Sequence, residues 1–173
     1  MEGTQGHGGA LTPSGWVRRW APRVAAGTVL DLACGSGRHA RLFLELGFQV
    51  VALDRDAQDI PGASVLQADL EDGSPWPLAG ERFQAVVVTN YLHRPLFPRL
   101  IEALAPGGLL IHETFMLGNE RHGRPSNPEF LLRPGELLGA FRGLQVLGFE
   151  EGYVAVPKPA MIQRLCAAVA AKG

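Results

Sequence analysis

Val29-Leu30-Asp31-Leu32-Ala33-Cys34-Gly35-Ser36-Gly37-Arg38-His39 is the stretch that decides how the rest of the chain is read. An apolar run gives way to small residues and then to a helical pattern from Arg38, the order of a strand, a tight loop and a helix. Gly35 and Gly37 permit close backbone approach by a ligand, and the first turn of the following helix leaves amide donors without intrahelical partners. A nucleotide-like ligand suits such a loop. Gly35-Ser36-Gly37-Arg38-His39-Ala40 also fits the G-x-G-x-x-G/A fingerprint of dinucleotide-binding folds, and a tight turn with no ligand is the plain alternative.

Working outward, short apolar runs predict strands at Thr28–Leu32, Gln49–Leu53, Ser64–Gln67, Phe83–Thr89 and Leu109–Thr114. Runs of this kind belong to strands buried on both faces, and helices at Arg38–Leu46 and Phe97–Ala105 supply the crossovers of a parallel sheet. Upstream, Thr12 to Val24 reads as a helix behind a Thr-Pro start, with Trp16 and Trp20 on one face. Pro106-Gly107-Gly108 is expected to end its helix and release the chain into the next strand. A polar segment from Phe115 to Arg133 has no clear period and is longer than most connections, a length typical of lids. A helix at Pro134–Phe141 follows, then two strand-like stretches, Gln145–Val156 and Pro159–Ala170, read as an antiparallel hairpin. The fold class is therefore α/β, with a mostly parallel seven-stranded sheet and an antiparallel C-terminal hairpin. Residues 1–10, with four glycines among the first nine, are expected to be a flexible lead-in to one domain over residues 11–173.

Two acidic positions sharpen the reading of the loop. Asp54 follows Val50-Val51-Ala52-Leu53, where its carboxylate could accept from both hydroxyls of a ribose, although NAD-binding folds also place an acid there. Asp31, at the strand end before the loop, would repel a pyrophosphate but attract the ammonium or sulfonium end of a methionine moiety. That favours S-adenosylmethionine over NAD. Asp69, in Gln67-Ala68-Asp69-Leu70 after the third strand, could accept from an adenine amino group.

Taken together, these motifs resemble the class I S-adenosylmethionine-dependent methyltransferases, in order from Val29 to Thr114. The family's glycine motif falls on Asp31 to Gly37, its ribose-binding acid on Asp54, its adenine-side acid on Asp69, and its motif after the fourth strand on Thr89-Asn90-Tyr91-Leu92-His93. Leu104-Ala105-Pro106-Gly107-Gly108-Leu109-Leu110-Ile111 and the terminal hairpin match the later core. Glu113-Thr114-Phe115 through Pro134-Gly135-Glu136-Leu137-Leu138 resembles small bacterial members of the tellurite-resistance type. The resemblance implies a single Rossmann-like methyltransferase domain that binds S-adenosyl-L-methionine. It implies cofactor contacts at Asp31, Ala33, Cys34, Gly35, Gly37, Asp54, Arg55, Asp69, Leu70, Asn90 and Tyr91. Ala33 stands where many members have glycine, a change expected to alter the loop only slightly, and Cys34 also reads as a small packing residue.

Catalysis in such enzymes needs alignment more than acid–base chemistry. Tyr91 and His93 are the candidates to line the transfer region, and a histidine's ordinary pKa suits a general base. His112 and Glu113 fall on opposite faces of a strand and cannot easily act as a pair. Arg121, His122 and Arg124 could clamp an anionic acceptor, while a solvated loop is the preferred reading of them. Phe115, Met116 and Phe130 would either wall an acceptor pocket or pin the loop to the core.

The totals bound the partners. The 173 residues are 46% hydrophobic and 19% charged with a net charge of -1, an ordinary globular composition without the basic excess of a nucleic-acid binder. A small-molecule methyl acceptor ranks above RNA or DNA. Cys34 and Cys166 are far apart and lack metal-ligand spacing, so no disulfide framework or metal site is expected and a cytoplasmic location fits. No stretch reads as a signal peptide or membrane span. The rival readings are a non-catalytic methyltransferase-like binding protein and, on the shared glycine loop, an NAD(P)-dependent oxidoreductase.

Overall fold

A computed structural model describes residues 12–171. The predicted flexible segment 1–10 lies outside the described residues. The elements run α1 (Gly15–Trp20), β1 (Thr28–Leu32), α2 (Arg38–Glu45), β2 (Gln49–Asp54), β3 (Ser64–Gln67), β4 (Phe83–Thr89), α3 (Phe97–Glu102), β5 (Leu104–Phe115), α4 (Glu136–Ala140), β6 (Gln145–Val154) and β7 (Ala160–Ala168). Among the described residues the strands form one sheet in the order β3-β2-β1-β4-β5-β7-β6. β3 through β5 are parallel, and β7 runs antiparallel to both β5 and β6. This is the α/β arrangement with a terminal hairpin that the apolar runs predict.

The central strands are apolar on both faces because both faces are covered. On one side Trp16, Val17 and Trp20 of α1 and Ala40 and Phe43 of α2 pack on Val29, Val50, Ala85 and Val87. On the other, Leu100, Leu137 and Phe141 pack on Leu30, Leu53, Val86, Val88 and Leu110. Burial of this apolar area on two faces is the main stabilising contribution.

The helix predicted from Thr12 is shorter than expected. Ser14 caps it, its hydroxyl accepting from the amides of Trp16 and Val17, and the chain tightens into a 3-10 turn at Ala21–Arg23. Trp16 and Trp20 do share a face, with ring centroids 5.6 Å apart. A Cβ on Gly148 would lie 2.4 Å from Trp20, so the bulge between Val146 and Gly148 makes room for α1.

Pro106-Gly107-Gly108 does not stop a helix. α3 ends at Glu102 and β5 begins at Leu104, which pairs with Phe83 before the register jumps so that Ala85 faces Leu109. The Pro-Gly-Gly run is thus a bulge within the strand. A Cβ on Gly108 would sit 2.8 Å from the Ala105 carbonyl oxygen and 2.9 Å from that of Phe83, so only glycine fits. The other helix and the hairpin are also shorter than predicted, since Pro134, Gly135, Val156 and Pro159 stay outside regular structure.

Candidate functional site

β1 lies between β2 and β4, the point at which the strand order reverses. Open α/β sheets bind ligands in the crevice at the carboxyl ends of such strands. The loop from β1 to α2 forms its floor. Asp31 is buried, and its Oδ2 accepts from the amide of Ala40 in the first turn of α2 at 2.9 Å. Burial pushes its pKa up to about 7; the Ala40 amide and Arg38 oppose the rise and the Asp54 carboxylate adds to it.

Beyond Asp31 the chain turns through three left-handed residues: Ala33 (φ 55°), Gly35 (φ 53°) and Gly37 (φ 83°). The turn is held by Cys34 N donating to Leu53 O at 3.0 Å and Gly37 N donating to Cys34 O at 2.9 Å. Alanine in this region costs about 1 kcal/mol relative to glycine, yet the turn closes.

The two glycines, expected to act alike, differ. A Cβ on Gly35 would meet nothing within 4 Å, so this residue faces open space where a ligand can approach. A Cβ on Gly37 would lie 2.5 Å from Ile60 Cδ1, so packing beneath the start of α2, together with the left-handed φ, favours glycine there. Cys34 is buried, and its thiol is pushed up to about 12 by burial and by the Asp31 and Asp54 carboxylates, the state of a packed thiol rather than a nucleophile.

Asp54 ends β2 and faces the loop. Its Oδ2 accepts from Gly35 N at 2.9 Å and its Oδ1 from Asp56 N at 2.8 Å. Arg55 points to solvent with its Nε 3.8 Å from the Asp56 carboxylate, and its carbonyl accepts from Gln67 Nε2 at 3.1 Å. Asp69 accepts from Glu71 N at 2.9 Å, a self-made turn of the kind aspartate favours. Leu70 is half-buried against the core. Asp69 and Leu70 border a cavity of about 480 Å³ that Trp76, Leu96 and Arg99 also line. A second hollow of about 510 Å³, lined by Thr28, Gln49, Ser64 and Phe83, is at the opposite ends of the strands and away from the loop.

After β4, Asn90 is left-handed (φ 55°) and its amide donates to Glu113 O at 2.9 Å. Tyr91 and His93 both turn to Glu71: the Tyr91 hydroxyl donates to Oε2 at 3.2 Å, and His93 Nδ1 lies 3.4 Å from Oε1. Burial, followed by the Glu71 charge, raises the Tyr91 phenol above its usual range, so it stays a neutral donor. Sequence reasoning did not single out Glu71. A lone acid in a polar loop carries no periodic signal, and only its position two residues past Asp69 could have drawn attention.

A buried polar chain supports the loop from behind. His39 Nε2 accepts from Ser14 N at 3.0 Å, which assigns its proton to Nδ1, 3.3 Å from Thr89 Oγ1. Burial, reinforced by Arg38, lowers its pKa to about 3, so it remains neutral. Ser14 Oγ donates to Glu113 Oε1 at 2.8 Å, and Glu113 Oε2 pairs with Arg164. Glu113 is thus a structural anchor. His112 lies on the opposite face between Phe97 and Phe141, as strand alternation requires, with its Nδ1 buried and unpartnered among the described residues. Burial lowers its pKa to about 4.

The segment 116–133 is solvated at Arg121, His122 and Arg124, as preferred from sequence, and is tied to the core beneath them. Met116 is buried and bridges to Leu132. Buried Asn119 donates to Pro125 O at 3.0 Å and accepts from Met161 N at 3.1 Å. From just beyond His93, Arg94 forks onto both Glu136 oxygens at 2.6 and 2.9 Å and also donates to Glu129 O and Leu131 O. Arg121, His122, Arg124 and Phe130 remain on its outer side, with His122 5.3 Å from the Tyr153 ring.

The floor is thus strongly acidic, with Asp31, Asp54, Asp69 and Glu71 near an open glycine, an acceptor set suited to a cationic nucleoside and hostile to pyrophosphate. Among the described residues no group of His, Cys, Asp and Glu is arranged to hold a metal ion, and no helix is long and apolar enough to cross a membrane.

Fold and loop together define a class I methyltransferase, and comparison with known proteins agrees. A methyltransferase-domain family matches residues 11–136. The chain belongs to that family, of the S-adenosylmethionine-dependent class. It is similar to the trans-aconitate 2-methyltransferases of Paracidovorax citrulli, 35% identical over 51% of this chain and 39% of the relative, and of Rhizobium meliloti, 36% identical over 51% and 38%. The matches therefore span about two-fifths of those relatives. Among solved structures, TehB from Haemophilus influenzae superposes with a TM-score of 0.74 at 17% identity, over 91% of this chain and 62% of that one. The glycopeptide N-methyltransferase MtfA, solved with S-adenosylmethionine, gives 0.60 at 20% identity, over 88% and 92%. At these identities the structures share the fold.

Proposed function

We propose that the chain transfers a methyl group from S-adenosylmethionine to a small-molecule acceptor, as one domain over residues 11–173. The observation that carries this reading is the floor of the crevice: Gly35 opens onto space that a Cβ would fill, beside Asp54 and above the buried Asp31. Asp54 and Gly35 would hold the ribose and the neighbouring part of the cofactor. Asp31 would supply the negative charge toward its methionine end, and Asp69 and Leu70 would flank the adenine. Ala33, Cys34, Gly37, Arg55, Asn90 and Tyr91 complete the proposed surround.

The cofactor supplies an activated methyl on its sulfonium, so the protein's part is to align the acceptor and exclude water. The relatives named for trans-aconitate support a small acceptor. So does the absence of any basic excess in the composition.

Calorimetric titration with S-adenosylmethionine, S-adenosylhomocysteine and NAD tests the reading. Selective binding of the first two is expected, weakened by roughly 1–3 kcal/mol in Asp54→Ala and abolished in a folded Gly35→Val. Selective NAD binding would turn the assignment to an oxidoreductase.

A further inference from the structure

Among the described residues, Glu71 is the carboxylate at the crevice that reaches both side chains following β4, and it comes from a different loop, the one after β3. Its Oε2 accepts from the Tyr91 hydroxyl, and its Oε1 lies 3.4 Å from His93 Nδ1, within reach of that nitrogen but not yet in hydrogen-bond geometry. His93 Nε2 makes no hydrogen bond among the described residues, and the side chain is 24% exposed, so the ring is open on that edge. The next residue, Arg94, does not compete for Glu71, because its guanidinium is committed to Glu136 and to the carbonyls of Glu129 and Leu131.

Resting on the methyltransferase reading, we propose that Glu71 is a positioning residue for methyl transfer, holding His93 by Nδ1 so that Nε2 keeps a lone pair for the acceptor's proton. A carboxylate on one imidazole nitrogen fixes the tautomer and orientation of the other. The proton-bearing acceptor atom forms a bond to the methyl carbon as the carbon–sulfur bond breaks with its electron pair left on sulfur. The acceptor's proton passes to Nε2, and the imidazolium formed is stabilised by Glu71. Tyr91, held as a neutral phenol by burial and then by the same carboxylate, is not a base here, so the two side chains after β4 take different parts. Apo contacts of this sort are often long and tighten when the site is filled, as the 3.4 Å separation allows.

The test is nitrogen-15 NMR of histidine-labelled protein at pH 8.5, where imidazoles of ordinary pKa are neutral. His93→Gln assigns the signal. The wild type is expected to show His93 protonated on Nδ1 and bare on Nε2. Glu71→Ala, an exposed substitution with little bearing on folding, is expected to shift the balance toward the Nε2–H form while the amide spectrum stays dispersed. An Nε2–H tautomer in the wild type, or the same balance in both proteins, overturns the proposal. S-adenosylhomocysteine titrated into the wild-type samples reports separately on the cofactor reading: if it fails to bind while the tautomer difference stands, the function is wrong and the orientation by Glu71 is not.

Discussion

The two halves of the crevice are built by different means. On the side proposed for the cofactor, beneath β1 and β2, the shape comes from the backbone: left-handed residues at alternate positions 33, 35 and 37, two amides on Asp54 and one on Asp31. On the other side, beyond β4 and β5, it comes from long polar side chains that reach across the sequence. Arg94 holds residues 129, 131 and 136, Asn119 holds 125 and 161, and Gln163 holds 133, 137 and 151. A cradle of amides suits a ligand that never changes, whereas a scaffold of side-chain ties can be rebuilt around a new acceptor without touching the first half.

The largest effect expected is at Asp31. Asp31→Asn keeps the bond from the Ala40 amide but removes the charge, so cofactor affinity should fall about 30-fold or more. The same variant should be more stable without ligand at pH 8. The folded pKa of about 7 lies above the ordinary aspartate value, so the contribution of Asp31 is full below pH of about 4 and is lost as pH rises to 7. Asparagine escapes that loss. For the wild type, affinity for a cationic cofactor should weaken by close to tenfold per pH unit below about 7, because binding must then expel a proton. Thermal denaturation and calorimetry across pH 5.5–8.5 check both signs, and a pH-independent affinity would remove Asp31 from the site.

Arg94→Ala strikes the other half. Loss of its fork and two carbonyl bonds should cost about 1–2 kcal/mol, lessened by partial exposure, and raise hydrogen exchange over residues 128–136. Cofactor affinity should hold. If cofactor affinity fell in parallel with the exchange protection, the two halves would not be separable.

A comparable effect belongs to His112. Its folded pKa of about 4 lies below the ordinary 6.5, so stability is full above pH 6.5 and is lost as pH falls toward 4. His112→Phe should flatten that acid-side decline by about 1–3 kcal/mol, and urea titrations at pH 7 and 4.5 measure it. His39 in the cofactor half declines in the same direction and is partly offset there by Asp31, whose contribution runs the other way. The smallest change sharpens the backbone side of the comparison: Ala33→Gly should raise stability by about 0.5–1 kcal/mol through relief of the left-handed φ, read as a Tm increase of a few degrees.

The contrast also explains what could be read from the residues alone. Apolar runs such as Val86-Val87-Val88 located the strands, and Gly35, Asp54 and Asp69 came to one crevice because their signals are local. Pro106-Gly107-Gly108 misled, since a helix stop and a strand bulge use the same residues and only pairing of Leu104 with Phe83 separates them. At Gly37 the residues alone show a demand for glycine but not the Ile60 side chain, from a separate loop, that a Cβ would meet. Glu71, Arg94, Asn119 and Gln163 act through partners remote in sequence, and neither spacing nor periodicity reports such contacts. Loop 116–133 therefore read as irregular although it is tied down at both ends.

The bond from Gly35 N to Asp54 Oδ2 has a kinetic side as well. With the glycine turn already latched to the end of β2, a ligand meets a finished surface and need not fold the loop as it arrives. Association should then follow a single exponential whose rate grows in proportion to ligand concentration, without the plateau that a slow rearrangement would impose.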